Sequence, residues 1–230
     1  PPVSQAFMQG SPQEVALRLE VLRISEINEK SQTYKMHYIV TLMWRDCRLL
    51  HACLYVGVPD TSEFFGKFWK PSLRIEEREA DSGDMKVEGH TLFGHGWDIY
   101  TQEHVSIFRC PFDFAEMPFD VQRCKLTFLM PGMPTWQMWL WWAYGEGDGP
   151  VHGNNLTNAQ WEIDQAEDWE LNSYTRSVQG PFGDTEVAVL SAEFTIARKP
   201  RYMMLNFVMQ ACMIYGVSWV GLFIDRAAVP

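Results

Sequence analysis

The chain has 230 residues, 47% hydrophobic and 21% charged, with 14 Phe, 10 Trp and 8 Tyr. So many aromatics exclude a mainly disordered chain, and the length suits one large domain or one domain plus an appendage. Nineteen Lys and Arg against 29 Asp and Glu leave a net charge of −10; nucleic acid is excluded as a partner because phosphate binding needs clustered basic side chains, whereas an acidic surface suits cations.

In chain order, residues 15–24 alternate, with Val15, Leu17, Leu19 and Leu22 apolar between Glu14, Arg18 and Glu20. Residues 34–44, 105–108, 125–130, 136–142 and 187–196 are rich in β-branched and aromatic side chains. Turn chemistry separates these runs at Asp81-Ser82-Gly83-Asp84, Pro131-Gly132 and Gly180-Pro181-Phe182-Gly183-Asp184. Short strands at this spacing predict a mainly β, immunoglobulin-like antiparallel sandwich of about ten strands. The glycines of 145–153 form a surface loop, since no Lys-Ser/Thr of a phosphate-binding loop accompanies them.

Residues 202–224 hold no charged side chain and follow Arg198, Lys199 and Arg201. Twenty-three such residues are enough to cross a bilayer. Asn206, Gln210 and Ser218 inside the run predict that part of the helix faces other helices.

Five cysteines are an odd number, so one is left over within a single chain. Cys110 and Cys124 enclose thirteen residues. Spacing alone leaves open whether they pair, because geometry decides; a bridge would close a loop worth about 3 kcal/mol. Cys47 and Cys53 are equally open.

The enclosed segment, with Met117-Pro118-Phe119-Asp120 inside Cys-x13-Cys, resembles the signature loop of the Cys-loop, or pentameric, ligand-gated ion channels. Trp44-Arg45-Asp46-Cys47-Arg48-Leu49 is similar to the family's W-x-D-x-R-L, and Trp69-Lys70-Pro71 to its W-x-P before binding loop A. Arg198-Lys199-Pro200-Arg201-Tyr202 resembles the junction into the first membrane helix. The short loops resemble the bacterial members most. The resemblance implies an extracellular or periplasmic ligand-binding sandwich over 1–199, a first transmembrane helix over 200–226 and, at 227–230, the approach to the pore helix. It implies a homopentamer in a lipid bilayer that opens to a small-molecule agonist bound between subunits, passes permeant ions, expected to be cations, and carries no catalytic chemistry or cofactor. In the full-length protein the chain would cross the cell membrane several times.

The resemblance also assigns residues. A Cys110–Cys124 disulfide is implied. One subunit face would supply loop A with Arg74, Glu76 and Glu77, loop B with Met130 and Pro131, and loop C with Tyr174 and Phe182. The neighbouring face would supply Ile39 and Thr41 from one strand, and Tyr100 and Gln102, with His104, from another. Receptors for quaternary amines surround the cation with aromatic rings; Pro131 and Ile39 stand where two walls would be, so the expected ligand is not a simple quaternary amine. Glu29, Asp120 and Arg198, with Phe119, would couple the sandwich to the helix. Gln210 stands where the family's mid-helix proline is usual, and Gln32 where an acid-gated bacterial member has a carboxylate.

Other readings are bland. His90, His95 and His104 fit no zinc spacing. Trp136, Trp139, Trp141 and Trp142 read as core on one strand face and subunit contact on the other. The rival to a channel is a membrane-anchored β-sandwich receptor or adhesion protein. An enzyme is disfavoured, because neither a nucleophile elbow nor H-E-x-x-H is present.

Overall fold

A computed structural model describes residues 12–46, 56–59, 69–81, 87–93, 96–144, 149–153, 156, 158–180 and 183–221. Thirteen strands lie among them, more than expected because several are very short. Eight form one sheet: β1 (Gln13–Asn28), β2 (Thr33–Arg45), β3 (Val56–Pro59), β5 (Arg78–Asp81), β6 (Val87–Phe93), β7 (Trp97–Arg109), β9 (Met138–Trp142) and β10 (Val151–His152). Its main path runs β10-β1-β2-β7-β6-β3, with β9 on β1 and β5 on β7. The second sheet has order β11-β13-β8-β4, from β4 (Arg74–Ile75), β8 (Val121–Leu129), β11 (Trp161–Ile163) and β13 (Gly183–Arg198), with β12 (Glu170–Gly180) also on β13. Most pairs are antiparallel, but β1 pairs with both β9 and β10 in parallel, which the alternation of single strands does not reveal.

Strand alternation builds the core between the sheets. Along β2, Tyr34, Met36, Tyr38, Val40, Leu42 and Trp44 are buried, and the odd-numbered residues between them are not. Tyr34 stacks on Phe108 of β7 with ring centroids 5.7 Å apart and meets Phe194 of β13 edge-on at 5.8 Å. Phe128 and Trp142 add a T-shaped pair at 5.7 Å. Such aromatic pairs add about 0.5–1.5 kcal/mol beyond their burial. In β1 the alternation holds through Val15, Leu17, Leu19 and Val21, then breaks. The register shifts between Val21 and Arg23. Leu22 is the extra residue and turns out to solvent, so the strand's apolar side continues at Ile24 instead.

Pro200 starts the C-terminal helix, where its missing N–H costs nothing. It runs as α1 (Pro200–Met203), a π-helical stretch (Met204–Val208) and α2 (Met209–Gly221). The family's proline is replaced by Gln210, yet the backbone is wider just before it, as π-bulges allow. Ser218 satisfies its hydroxyl by donating to the Ile214 carbonyl at 2.9 Å. From Met204 to Gly221 the helix is long and apolar enough to cross a membrane, and none of that span is buried against the sandwich.

Candidate functional site

The base of the sandwich brings three distant segments together. Arg198 ends β13, Glu29 lies in the turn between β1 and β2, and Asp120 precedes β8. Arg198 Nε donates to Asp120 Oδ1 at 2.7 Å and Nη2 to Oδ2 at 3.2 Å, while Nη1 donates to Glu29 Oε1 at 2.6 Å. The backbone repeats the link, since Arg198 N donates to the Asp120 carbonyl at 3.1 Å. Gln122 Nε2 donates to Asp120 Oδ2 at 2.8 Å and to the Asp113 carbonyl at 2.6 Å. A disulfide joins Cys110 to Cys124 and closes the loop that carries Asp113 and Asp120. Phe119 and Met117 project from that loop into solvent.

Burial is uneven across the cluster: side-chain exposure is 10% for Arg198, 1% for Asp120 and 39% for Glu29. Burial pushes the Asp120 carboxyl up, but the hydrogen bonds from Arg198 and Gln122 outweigh it and hold the carboxyl below the usual carboxylate range. Burial alone would lower the Arg198 pKa, yet its bonds to Asp120 and Glu29 raise it. The guanidinium is therefore a fixed charge gripped mainly by Asp120.

Higher on the second sheet, the loop A residues part company. Glu77 is committed inward, its two oxygens accepting from Thr127 N and Thr127 Oγ1, both at 2.7 Å. Glu76 faces out and takes a bidentate pair from Arg176 of β12 at 2.6 and 2.8 Å. The Arg176 hydrogen bond lowers the Glu76 pKa. Arg74 is exposed. Tyr174, two residues before Arg176 and on the same strand face, lies under Lys125 Nζ at 5.8 Å from its ring centre. Lys125 pairs with Glu193 at 3.0 Å, which raises its pKa. Met130 is buried. Pro131 and Gly132 occupy a tight turn closed by Met133 N on the Met130 carbonyl at 3.4 Å; Gly132 has φ +77° there, the conformation a type II turn reserves for glycine. Phe182, Cys47, Cys53 and His95 lie outside the described residues.

The first sheet corrects one expectation. Ile39 and Thr41 face outward, and their partners on β7 are Glu103 and Thr101. Tyr100, Gln102 and His104 pair with Leu42, Val40 and Tyr38, which point inward. Facing residues share a face, so Tyr100 and Gln102 stand on the opposite side of the sheet from Ile39 and Thr41; one residue of slip exchanges the faces. Gln102 Nε2 donates to Tyr100 Oη at 2.8 Å, and both line a half-open pocket of about 330 Å³ with Tyr38, Lys70, Arg78 and His104. The outward face carries His37 Nε2 against Glu103 Oε1 at 2.5 Å and the Thr41–Thr101 hydroxyl pair at 3.3 Å. His90 is buried with Asp98, Nε2 to Oδ1 at 2.6 Å; burial raises the Asp98 pKa against the pull of His90.

Sequence reasoning passed over Arg176 and Glu103. Arg176 had a legible signal, its i+2 spacing from Tyr174. Glu103 needed the β2–β7 register, which no local pattern supplies.

Residues 2–200 match the family model described as the neurotransmitter-gated ion-channel ligand binding domain. The glycine receptor subunit beta of Homo sapiens, and likewise that of Rattus norvegicus, is 26% identical over 226 residues, covering 96% of this chain and 44% of the relative. The gamma-aminobutyric acid receptor subunit pi of Bos taurus is 27% identical over 227 residues, covering 96% of this chain and 49% of that subunit. The chain thus spans less than half the length of these relatives.

Proposed function

We propose that this chain, which belongs to the neurotransmitter-gated ion-channel ligand binding domain family, is the agonist-binding part and first membrane helix of a channel subunit that acts as a homopentamer. The observation that carries the reading is the Arg198–Asp120–Glu29 cluster, where two loops of a ligand-binding sandwich are tied to the residue just ahead of an apolar, uncovered helix. In the proposed division, 1–199 bind agonist, 200–226 cross the membrane and 227–230 lead to the pore helix. An arginine suits the junction, since its always-charged fork can hold two carboxylates at once.

The agonist would sit between Tyr174, Arg176, Glu76 and Arg74 of one subunit and Ile39, Thr41 and Glu103 of the next. Both signs of charge occur there beside a half-exposed aromatic ring. That supports a small zwitterion over a simple quaternary amine, and the relatives' names make glycine and γ-aminobutyric acid the first probes. A net charge of −10 would gather cations at the pore entrance, in keeping with a cation-conducting pore.

Expression of the full-length protein in oocytes, with glycine, γ-aminobutyric acid, other amines, carboxylates and acid steps, tests the agonist reading, and the reversal potential tests selectivity. Light scattering on the solubilised full-length protein should give five copies. A monomer or dimer would instead favour an anchored receptor without a channel.

A further inference from the structure

Asp120 and Glu29 engage Arg198 only along its edge. Nε, Nη1 and Nη2 all donate in the guanidinium plane, which leaves the two π faces of a charge whose side chain is 90% out of water to be covered by something else. One face is covered by Trp161, whose ring centre lies 4.2 Å from Arg198 Cζ. The placement follows from the sheet: β11 and β13 run antiparallel with Trp161 directly opposite Arg198, so their side chains stand on one face.

The indole is itself fixed. Trp161 is 2% exposed and packs on Phe112 of the disulfide loop, ring centres 6.3 Å apart. The Trp161 backbone N–H donates to Asn158 Oδ1 at 2.8 Å, and its backbone carbonyl accepts from Asn158 N at 3.0 Å. Lys199, next to the arginine, then clamps the same turn: Nζ donates to the Asn158 carbonyl at 2.7 Å and N to the Gln160 carbonyl at 2.9 Å. Segment 158–161 and residues 198–199 are thus bound to each other once through the backbone, once through the Lys199 ammonium and once through the Trp161 ring.

We propose that Trp161 is a positioning residue for Arg198, a cation–π platform that orients the guanidinium edge-on to Asp120 and Glu29 and joins it to the disulfide loop through Phe112. The inference rests on the coupling role proposed for Arg198. A charge over an aromatic face is attracted by the ring quadrupole, most strongly for Trp and more so when water is excluded. Lysine has no planar face to stack and no fork to divide between two acids, so Trp161 also accounts for arginine at 198.

The test replaces Trp161 with mono-, di-, tri- and tetrafluorotryptophan by codon suppression in the 230-residue chain, held in detergent micelles. Fluorine empties the ring's negative face while hardly altering its shape. Tm should fall stepwise with each fluorine, by about 2–4 °C in total, and the trend should vanish in Arg198→Gln, where no cation remains. A flat series in the wild-type background would overturn the proposal even if Arg198→Gln does not fold, and an equal trend in Arg198→Gln would reduce Trp161 to packing. The readout needs no agonist. Loss of gating is tested separately by currents from Arg198→Ala, so a failed platform and a failed coupling role are distinguishable.

Discussion

Arg198 and Asp120 stand 78 residues apart and meet through two side-chain hydrogen bonds and one backbone bond, on a carboxylate that is 1% exposed. Glu29 binds the same guanidinium at 2.6 Å but is 39% exposed. Equal distances do not imply equal energies. Removing one partner of a buried pair strands the other charge and costs about 3–5 kcal/mol, whereas an exposed partner contributes under about 1 kcal/mol. Asp120→Asn is therefore expected to destabilise the chain several times more than Glu29→Gln. Urea unfolding of the chain in micelles, followed by Trp fluorescence, measures both; equal losses would show that Glu29 holds the arginine as firmly as Asp120 does.

The same carboxylate sets an acid limb. Its folded pKa lies below the unfolded value of about 3.9. A depressed carboxyl pKa contributes stability that is present above the unfolded value and is lost as pH falls through the folded one. Nothing should be lost from this pair between pH 7 and about 5, and the loss should come below about pH 4. Asp120→Asn should unfold at lower urea above about pH 4, and the gap to the wild type should close below it. Parallel pH profiles for the variant and the wild type would locate the acid limb elsewhere.

Glu77 and Thr127 give a prediction about loop A. Glu77 accepts both the backbone N–H and the hydroxyl of Thr127, pinning the turn after β4 to the centre of β8. Thr127→Val removes one bond, worth about 1 kcal/mol. Glu77→Ala removes both and leaves a buried N–H without its acceptor, at about 1–3 kcal/mol. In the Glu77→Ala background, Thr127→Val should cost little more, and the shortfall from additivity is the coupling. Additive losses in urea unfolding would mean the two residues act separately.

Much of this fold is written locally. The apolar periods of β1, β2 and β13 and the uncharged run after Tyr202 are visible because alternation and length are properties of single segments. Where reading by segment fails, the cause is pairing. The extra residue at Leu22 moves the strand's inner face from odd to even positions, and only the β1–β2 register reveals it. The resemblance groups Tyr100 and Gln102 with Ile39 and Thr41 on one subunit face, yet pairing with β2 puts them on the other side of the sheet. Glu77 and Glu76 are adjacent acids in the sequence and do opposite things, because the turn they form aims Glu77 at Thr127 and Glu76 at Arg176. The base cluster was legible only through the family's motif. Trp161, which belongs to no quoted motif, was not legible at all, since its position depends on β11 pairing with the last residues of β13.

Arg176 and Glu76 join β12 to the loop A turn across 100 residues of sequence. The pair is bidentate, at 2.6 and 2.8 Å, but the side chains are 37% and 36% exposed. A pair so open to solvent contributes about 0.2–1 kcal/mol, too little to matter for global unfolding. Local opening is different, because the tip of the β12–β13 hairpin beyond Tyr174 pairs strand to strand within the hairpin, with one backbone bond from outside, Thr135 N to the Glu186 carbonyl at 2.8 Å, among the described residues. Energies of this size change a local opening equilibrium by up to about fivefold. Hydrogen exchange of the β12–β13 amides around Val178 and Thr185 should therefore quicken by up to about fivefold in Glu76→Arg and in Arg176→Glu. The double exchange, Glu76→Arg with Arg176→Glu, should return it toward the wild-type rate, and added salt should shrink all the differences. Unchanged exchange in both single variants, or a double variant as fast as either, would show that the hairpin is held without this pair. The end of that hairpin would then be free of the β4–β5 turn.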